Sequence, residues 1–282
     1  MRCFTPVLLT VATLGLTAVT VAAAGPVRVE TGLSWHDNVT NAERPEDLLP
    51  ALQWHARLDA GIARNLPDGH RIRGAAGLRI ETWPRFEGLD FVSPALSAAW
   101  EFKPGLGPNR PVVAAEVEGE WRVAREHDRG GLGGAVGLSV RQRLGTAWLL
   151  SVGHEWRRFS ASGHAFDRTG REWSARAEWA LNDRWMLAAE VHGRFGDVVS
   201  YSRPPRADLE AIGKPITLVD TFEQGVPWIV YYFGARTRRG AVEVQRTLGR
   251  SGVALRHELR YTLHVGPGYR NQLTMLRFVT SF

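Results

Sequence analysis

Cysteine is almost missing from this chain: Cys3 is the only one in 282 residues, and it falls in a leader-like stretch expected to be removed. Residues 25–282 hold no thiol, which excludes disulfide staples and cysteine-ligated metal. Long apolar runs are scarce too. Beyond Gly25 nothing approaches the roughly 20 consecutive apolar residues of a spanning helix, so any membrane residence has to use strands. There is no linker, no glycine-rich phosphate loop after a strand, no His/Glu zinc pattern on a helix and no nucleic-acid module. Cofactors and nucleic acid are therefore not expected. The net charge of +6 reflects an excess of arginine. Length alone allows one large domain or two, so patterning has to decide.

What is present begins with MRCFTPVLLTVATLGLTAVTVAAA, residues 1–24. Arg2 gives a positive start, a small-apolar run follows, and Ala22-Ala23-Ala24 precedes Gly25, the pattern of a secretory signal peptide. A single anchoring helix is the competing reading. The Ala/Thr-rich run and the lack of a following Lys/Arg cluster speak against it.

The rest reads as one meander of about twelve alternating segments, each of roughly 10 to 16 residues. Short turns such as NLPDGH (65–70), KPGLGPN (103–109), LGT (144–146), LND (181–183) and LGRSG (248–252) alternate with longer loops. In REWSARAEWAL, Trp173, Ala175, Ala177, Trp179 and Leu181 share one face, and Glu172, Ser174, Arg176 and Glu178 the other. WMLAAEVHGRF repeats this, with Trp185, Leu187, Ala189, Val191 and Phe195 against Glu190, His192 and Arg194. A soluble β-protein would also alternate, but its apolar face would favour Val, Ile, Leu and Phe packed against a core. Here that face is rich in Ala, Gly and Trp, which suits lipid, where no interlocking is required and Trp gathers at the interface. Trp148 and Trp156 lie eight residues apart on one face, about 20 Å of height on a tilted strand, close to the apolar band of a membrane barrel. Trp148, Trp156, Trp173, Trp179 and Trp185 are the expected membrane girdle. Short turns at one end and long loops at the other predict a single all-β domain over 25–282: an antiparallel up-and-down transmembrane barrel of about 12 strands.

The C-terminal stretch NQLTMLRFVTSF places Leu276, Phe278 and Phe282 in steps of two. It resembles the last strand of the bacterial outer-membrane β-barrel superfamily, with an architecture like that of twelve-stranded porin-type channels. Thr280 stands where that pattern usually has a larger apolar residue. The resemblance implies an outer-membrane location and contact with lipid and lipopolysaccharide. It also implies that Phe278 and Phe282 are an insertion signal for the barrel-assembly machinery, and that the barrel is passive and porin-like; a basic, Arg/Glu-lined wall would favour small polar or anionic solutes.

If the apolar face meets lipid, the polar face lines a lumen. The residues placed there as lumen or constriction are Arg71, Arg73, Arg141, Arg143, Arg176, Arg194, Arg256 and Arg260, with Glu116, Glu118 and Glu120. Arg57, Arg79, Arg122, Arg157, Asp59, Glu81, Glu101, Glu155, Glu178, Glu190, Glu243 and Glu258 join them. Cross-strand pairs could fill a closed interior, or a basic wall could line an open pore. The basic pairs Arg71/Arg73 and Arg141/Arg143 are expected to oppose the acidic ladder Glu116/Glu118/Glu120 across the lumen. The irregular loop 199–225 carries ADLEAIGKP, which fits a helical turn ending at Gly213 before Pro215. Its Ile212, Ile216, Leu218, Val219 and Phe222 are too apolar for a freely solvated loop, so it is expected either to constrict the mouth or to cap the rim.

Candidate chemistry is thin. Ser34/His36 and Ser162/His164 are nucleophile-base types at close spacing, as in an outer-membrane lipid hydrolase, but in reversed order. His127-Asp128 suits a rim protease weakly. Asp37, Asn38, Asn41, Glu43, Glu46 and Asp47 could offer oxygens to calcium, though an ordinary polar loop explains them. A closed attachment barrel is the remaining alternative.

Overall fold

The computed structural model describes residues 27–213, 216–223, 225–264 and 268–282. The signal-peptide segment 1–24, with Cys3, lies outside the described residues. Twelve long antiparallel strands form one closed ring. They are β1 (Val27–His36), β2 (Ala51–Asn65), β3 (His70–Thr82), β4 (Phe91–Phe102), β5 (Val112–Ala124) and β6 (Gly131–Leu144), followed by β7 (Trp148–Ala161), β8 (Arg168–Ala180) and β9 (Trp185–Ser202). A short β10 (Ile216–Val219) precedes β11 (Trp228–Leu248), β12 (Ser251–Leu263) and β13 (Tyr269–Ser281). Each long strand pairs with its successor, β9 pairs with β11, and β13 closes on β1 with Leu276 opposite Leu33. Closure matters physically: the ring of twelve long strands has no open edge, the condition for crossing hydrocarbon.

The strands form where alternation is strict, and the turns form where the backbone needs special residues. In the β2–β3 hairpin Asp68 and Gly69 take φ of 57° and 80°, and the Lys103 amide reaches the Gly69 carbonyl at 3.0 Å. Gly249 takes φ 66° in the two-residue β11–β12 turn, the conformation that β-carbons disfavour.

The outward face is apolar and exposed. Leu33, Leu96, Val117, Leu138, Val152, Val242 and Leu255 project from seven different strands. Nine of the eleven tryptophans share this face, Trp121 with 58% of its surface exposed. Trp148 and Trp179 stack at 5.5 Å beside the short turns, and Trp173 lies over Gly193, where any β-carbon would collide with the indole. Leu276, Phe278 and Phe282 also point outward, and the Phe282 amide donates to the Val27 carbonyl at 2.9 Å. His257, which interrupts the apolar set of β12, bonds Thr274 Oγ1 at 3.0 Å on the neighbouring strand.

Two tryptophans depart from the rule. Trp83 and Trp228 are buried in a cluster above the long-loop end of the barrel, with Phe86, Phe166, Val199, Tyr201, Val219, Phe222 and Val230. The loop expected over 199–225 is shorter than that, because β9 runs to Ser202 and β10 lies within it. Its helical turn is α1 (Ala207–Glu210), closed by the Gly213 amide on the Leu209 carbonyl at 2.6 Å. Phe222 packs edge-on against Phe86, Tyr201 and Trp228 at 4.9 to 5.2 Å, and Thr221 Oγ1 donates to Glu126 Oε2 at 2.5 Å. Phe86 belongs to the β3–β4 loop, and β3 and β4 are the strands furthest round the ring from β9 and β11. The segment is thus a strap across the mouth, held by an apolar core of its own. Burial of Phe222 alone contributes about 1.5–3 kcal/mol to keeping it there.

The β1–β2 loop folds under this strap. Asn41 Nδ2 donates to the Val199 carbonyl at 2.9 Å, the Tyr201 amide to the Thr40 carbonyl at 2.9 Å, and the Arg203 amide to Asp47 Oδ1 at 3.1 Å. Asn38 and Asn41 are spent on such bonds, and among the described residues no group of three His, Cys, Asp or Glu is placed to hold a metal.

Candidate functional site: the charged interior

Because side chains alternate along a strand, fixing the apolar face outward sends every second residue inward. Ion-pair partners show where the expected lumen residues meet. On the wall from β8 through β9, β11, β12 and β13 to β1 the charges form one mesh. Arg176 reaches Glu178 at 2.7 Å, Glu190 at 2.9 Å and Glu243 at 3.3 Å. Arg256 reaches Glu190 at 2.8 Å and Glu258 at 3.1 Å, and Arg260 reaches Glu258 at 2.9 Å. Four members were not among the residues expected to line the lumen, although Glu172 and His192 lie on the polar face of their segments. Arg239 contacts Glu172 at 3.0 Å, Arg277 contacts Glu243 at 2.5 Å, and His192 bridges Glu172 at 2.5 Å and Glu190. Arg239 shares the parity of Glu243, so the alternation of β11 could have found it. The crowded TRRG run hides that parity.

The opposite wall is sparser. Arg71, Arg73 and Arg141 converge on Glu101 at 4.0, 3.1 and 2.7 Å. Glu118 lies 3.8 Å from Arg157, and Glu120 lies 3.4 Å from Arg122 and accepts a bond from Ser93 at 3.1 Å. Arg143 and Glu116 make no ion pair among the described residues. The expectation of opposed ladders is corrected here. β3, β5 and β6 lie within four consecutive strands, so the basic pairs and the acidic ladder share a wall. Ala135, Gly137, Ser139, Gly153 and Ser174 keep this side thin, and a hollow of about 310 Å³ runs along it beside Glu116 and Glu118. The interior is therefore lopsided: long ion-paired side chains fill one side, and small residues leave space on the other.

Above this, beneath the strap, lies a cavity of about 580 Å³. Its walls include Arg79, Arg122, Arg129, Arg157, Arg168, Arg194 and Arg260, against the carboxylates of Glu81, Glu120, Glu155, Glu172 and Glu258. Arginine outnumbers carboxylate, so the field inside is positive. Aromatic faces hold two of the cations in place: Arg122 lies over Phe91 and Phe159 at 4.6 and 4.5 Å, and Arg129 over Phe166 at 4.8 Å while donating to the Tyr201 hydroxyl at 2.6 Å. Arg168, the first residue of β8, is not among the residues expected in the lumen.

The candidate catalytic pairs are not assembled. His36 bonds Gln53 at 3.2 Å and packs on Trp83, while Ser34 is buried with no partner for its hydroxyl among the described residues. His164 is on the surface beside Asp167 at 3.3 Å. Asp128 packs under Gly163 as part of a loop contact.

A closed ring with an apolar exterior, an ion-paired interior and long loops at one end is the architecture of a transmembrane β-barrel. No family model matches the chain and no curated relative matches it in sequence. Among solved structures, an outer membrane channel from Pseudomonas putida F1 superposes with a TM-score of 0.60 at 12% identity, over 92% of this chain and 96% of that one. The NanC porin gives 0.48 at 7% identity over 89% and 98%, and the KdgM porin 0.43 at 8% over 90% and 99%. At 12% identity the first of these supports the twelve-stranded barrel fold.

Proposed function

We propose that this barrel is a passive outer-membrane channel that favours small anionic solutes. The observation that carries the reading is the lopsided interior. A lumen built only as structural fill would be packed on all sides, whereas here one wall is thinned by Ala, Gly and Ser, and the hollow along it shares Glu155 and Glu172 with the arginine-rich vestibule. The likeness to a solved outer membrane channel is consistent with it. Solute would enter beside the strap, cross the vestibule where arginines replace part of its hydration, and descend along the thin wall. The mixed charges keep binding weak enough for release.

Planar-bilayer recording on refolded protein tests this. A salt gradient should give stepwise currents with a reversal potential on the anion side. A barrel that inserts without conducting, or that passes cations preferentially, contradicts the proposal. Ester hydrolysis in detergent that is lost on replacing Ser34 would instead favour the lipid-hydrolase alternative.

A further inference from the structure

The arginines of the vestibule are not equivalent. Arg122, Arg129, Arg157 and Arg260 each have a carboxylate at 3.4, 3.7, 2.9 and 2.9 Å, and Arg79 is paired with Glu81. Arg168 and Arg194 have none among the described residues. Arg194 Nη2 donates to the Asp197 carbonyl at 3.0 Å, but the Arg168 guanidinium has no hydrogen-bond partner at all among them. Both border the vestibule and a second hollow of about 160 Å³ towards β11 and β12. They stand where the two spaces meet. The charges acting on Arg168 are chiefly like charges, from Arg122, Arg129 and Arg194.

A half-buried cation among chiefly like charges and with no carboxylate of its own is open to an incoming anion, and a planar guanidinium with free N–H groups is shaped for a carboxylate. Phe159, Phe166 and Val199 border the same cavity, so an anion seated on Arg168 would lay its body against apolar surface. We infer that Arg168 and Arg194 form a binding site for a small organic carboxylate with a compact apolar body. The inference deepens the channel reading and rests on it for access. The carboxylate would take the forked N–H donors of Arg168, with Arg194 adding charge from β9.

Isothermal titration of the refolded full chain with benzoate reads the site without requiring conduction. Wild type should bind saturably, and Arg168→Met should weaken binding at least about tenfold, the loss of one charge-assisted contact. Benzyl alcohol, with the same ring and no charge, should not compete. Because Arg168 makes no hydrogen bond among the described residues, Arg168→Met should fold and resist heat as well as wild type. Arg194→Met, which is held by a single bond, serves as the second variant and should weaken benzoate less. Equal benzoate affinity in wild type and Arg168→Met, or benzyl alcohol binding as tightly as benzoate, overturns the inference. A barrel that binds benzoate but carries no current would retain the site and refute only the channel.

Discussion

Glu243 is the carboxylate on which the charged mesh turns. Its side chain is 2% exposed and meets Arg277 at 2.5 Å, Arg176 at 3.3 Å and Arg256 at 3.9 Å. Glu243→Gln keeps the shape and removes the charge, leaving three guanidiniums facing one another around a neutral amide. Removing one partner from a buried ion pair typically costs about 3–5 kcal/mol, because the remaining charge has lost its compensation. Glu190 and Glu258 still serve Arg176 and Arg256, so the loss should fall at the lower end, about 3 kcal/mol. A control lies on the other wall, where Arg57 and Asp59 pair at 2.8 Å with side chains 55% and 26% exposed. Asp59→Asn should cost no more than about 1 kcal/mol, since water screens that pair. Urea unfolding of protein refolded in lipid, followed by tryptophan fluorescence, gives both numbers. A second substitution, Arg277→Met in the Glu243→Gln background, should restore part of the loss by removing the cation left without its anion. If Glu243→Gln unfolds within about 1 kcal/mol of wild type and no earlier than Asp59→Asn, the mesh is solvated and the argument from burial fails.

Two further outcomes follow from the strap and the outer face. Asp208 Oδ2 meets Arg206 Nη2 at 2.5 Å, and this bond holds the carboxyl at about 2, below its ordinary 3.8. A depressed folded-state pKa stabilises fully above 3.8 and is lost as pH falls through about 2. Acidification across that window should therefore loosen the α1 end of the strap. Asp208→Asn should do the same at neutral pH, seen as faster tryptic nicking after Arg206; unchanged nicking would refute the latch. On the outside, Gly193→Ala should push the Trp173 indole off its seat and cost about 1–3 kcal/mol in the urea assay. The cost should vanish in a Trp173→Leu background, and a cost that persists there would place the strain elsewhere.

How much was legible beforehand depended on the range of the interaction. Alternation is local, so the inward or outward sense of Arg176, Glu190, Arg256 and their neighbours could be read two residues at a time. The tight turns could be read as well, because Gly249 and the Asp68-Gly69 pair are required by backbone geometry. Who meets whom across the interior could not be read. Arg71, Arg73 and Arg141 look like separate basic steps in the chain, yet strand order brings all three to Glu101. Nothing local in the chain sets Trp83 and Trp228 apart from the other tryptophans, and the crossing of the strap is what gathers them into a core.

Local pattern along the chain is enough for the barrel class, the difference between its two ends and the face each strand turns to lipid, because a period of two permits only two faces and hydrocarbon accepts only one of them. Ring closure, the strap over the mouth and the split between a filled wall and a thin one were decided by tertiary structure. They depend on which strands stand beside or across from one another, and that proximity is between residues far apart along the chain.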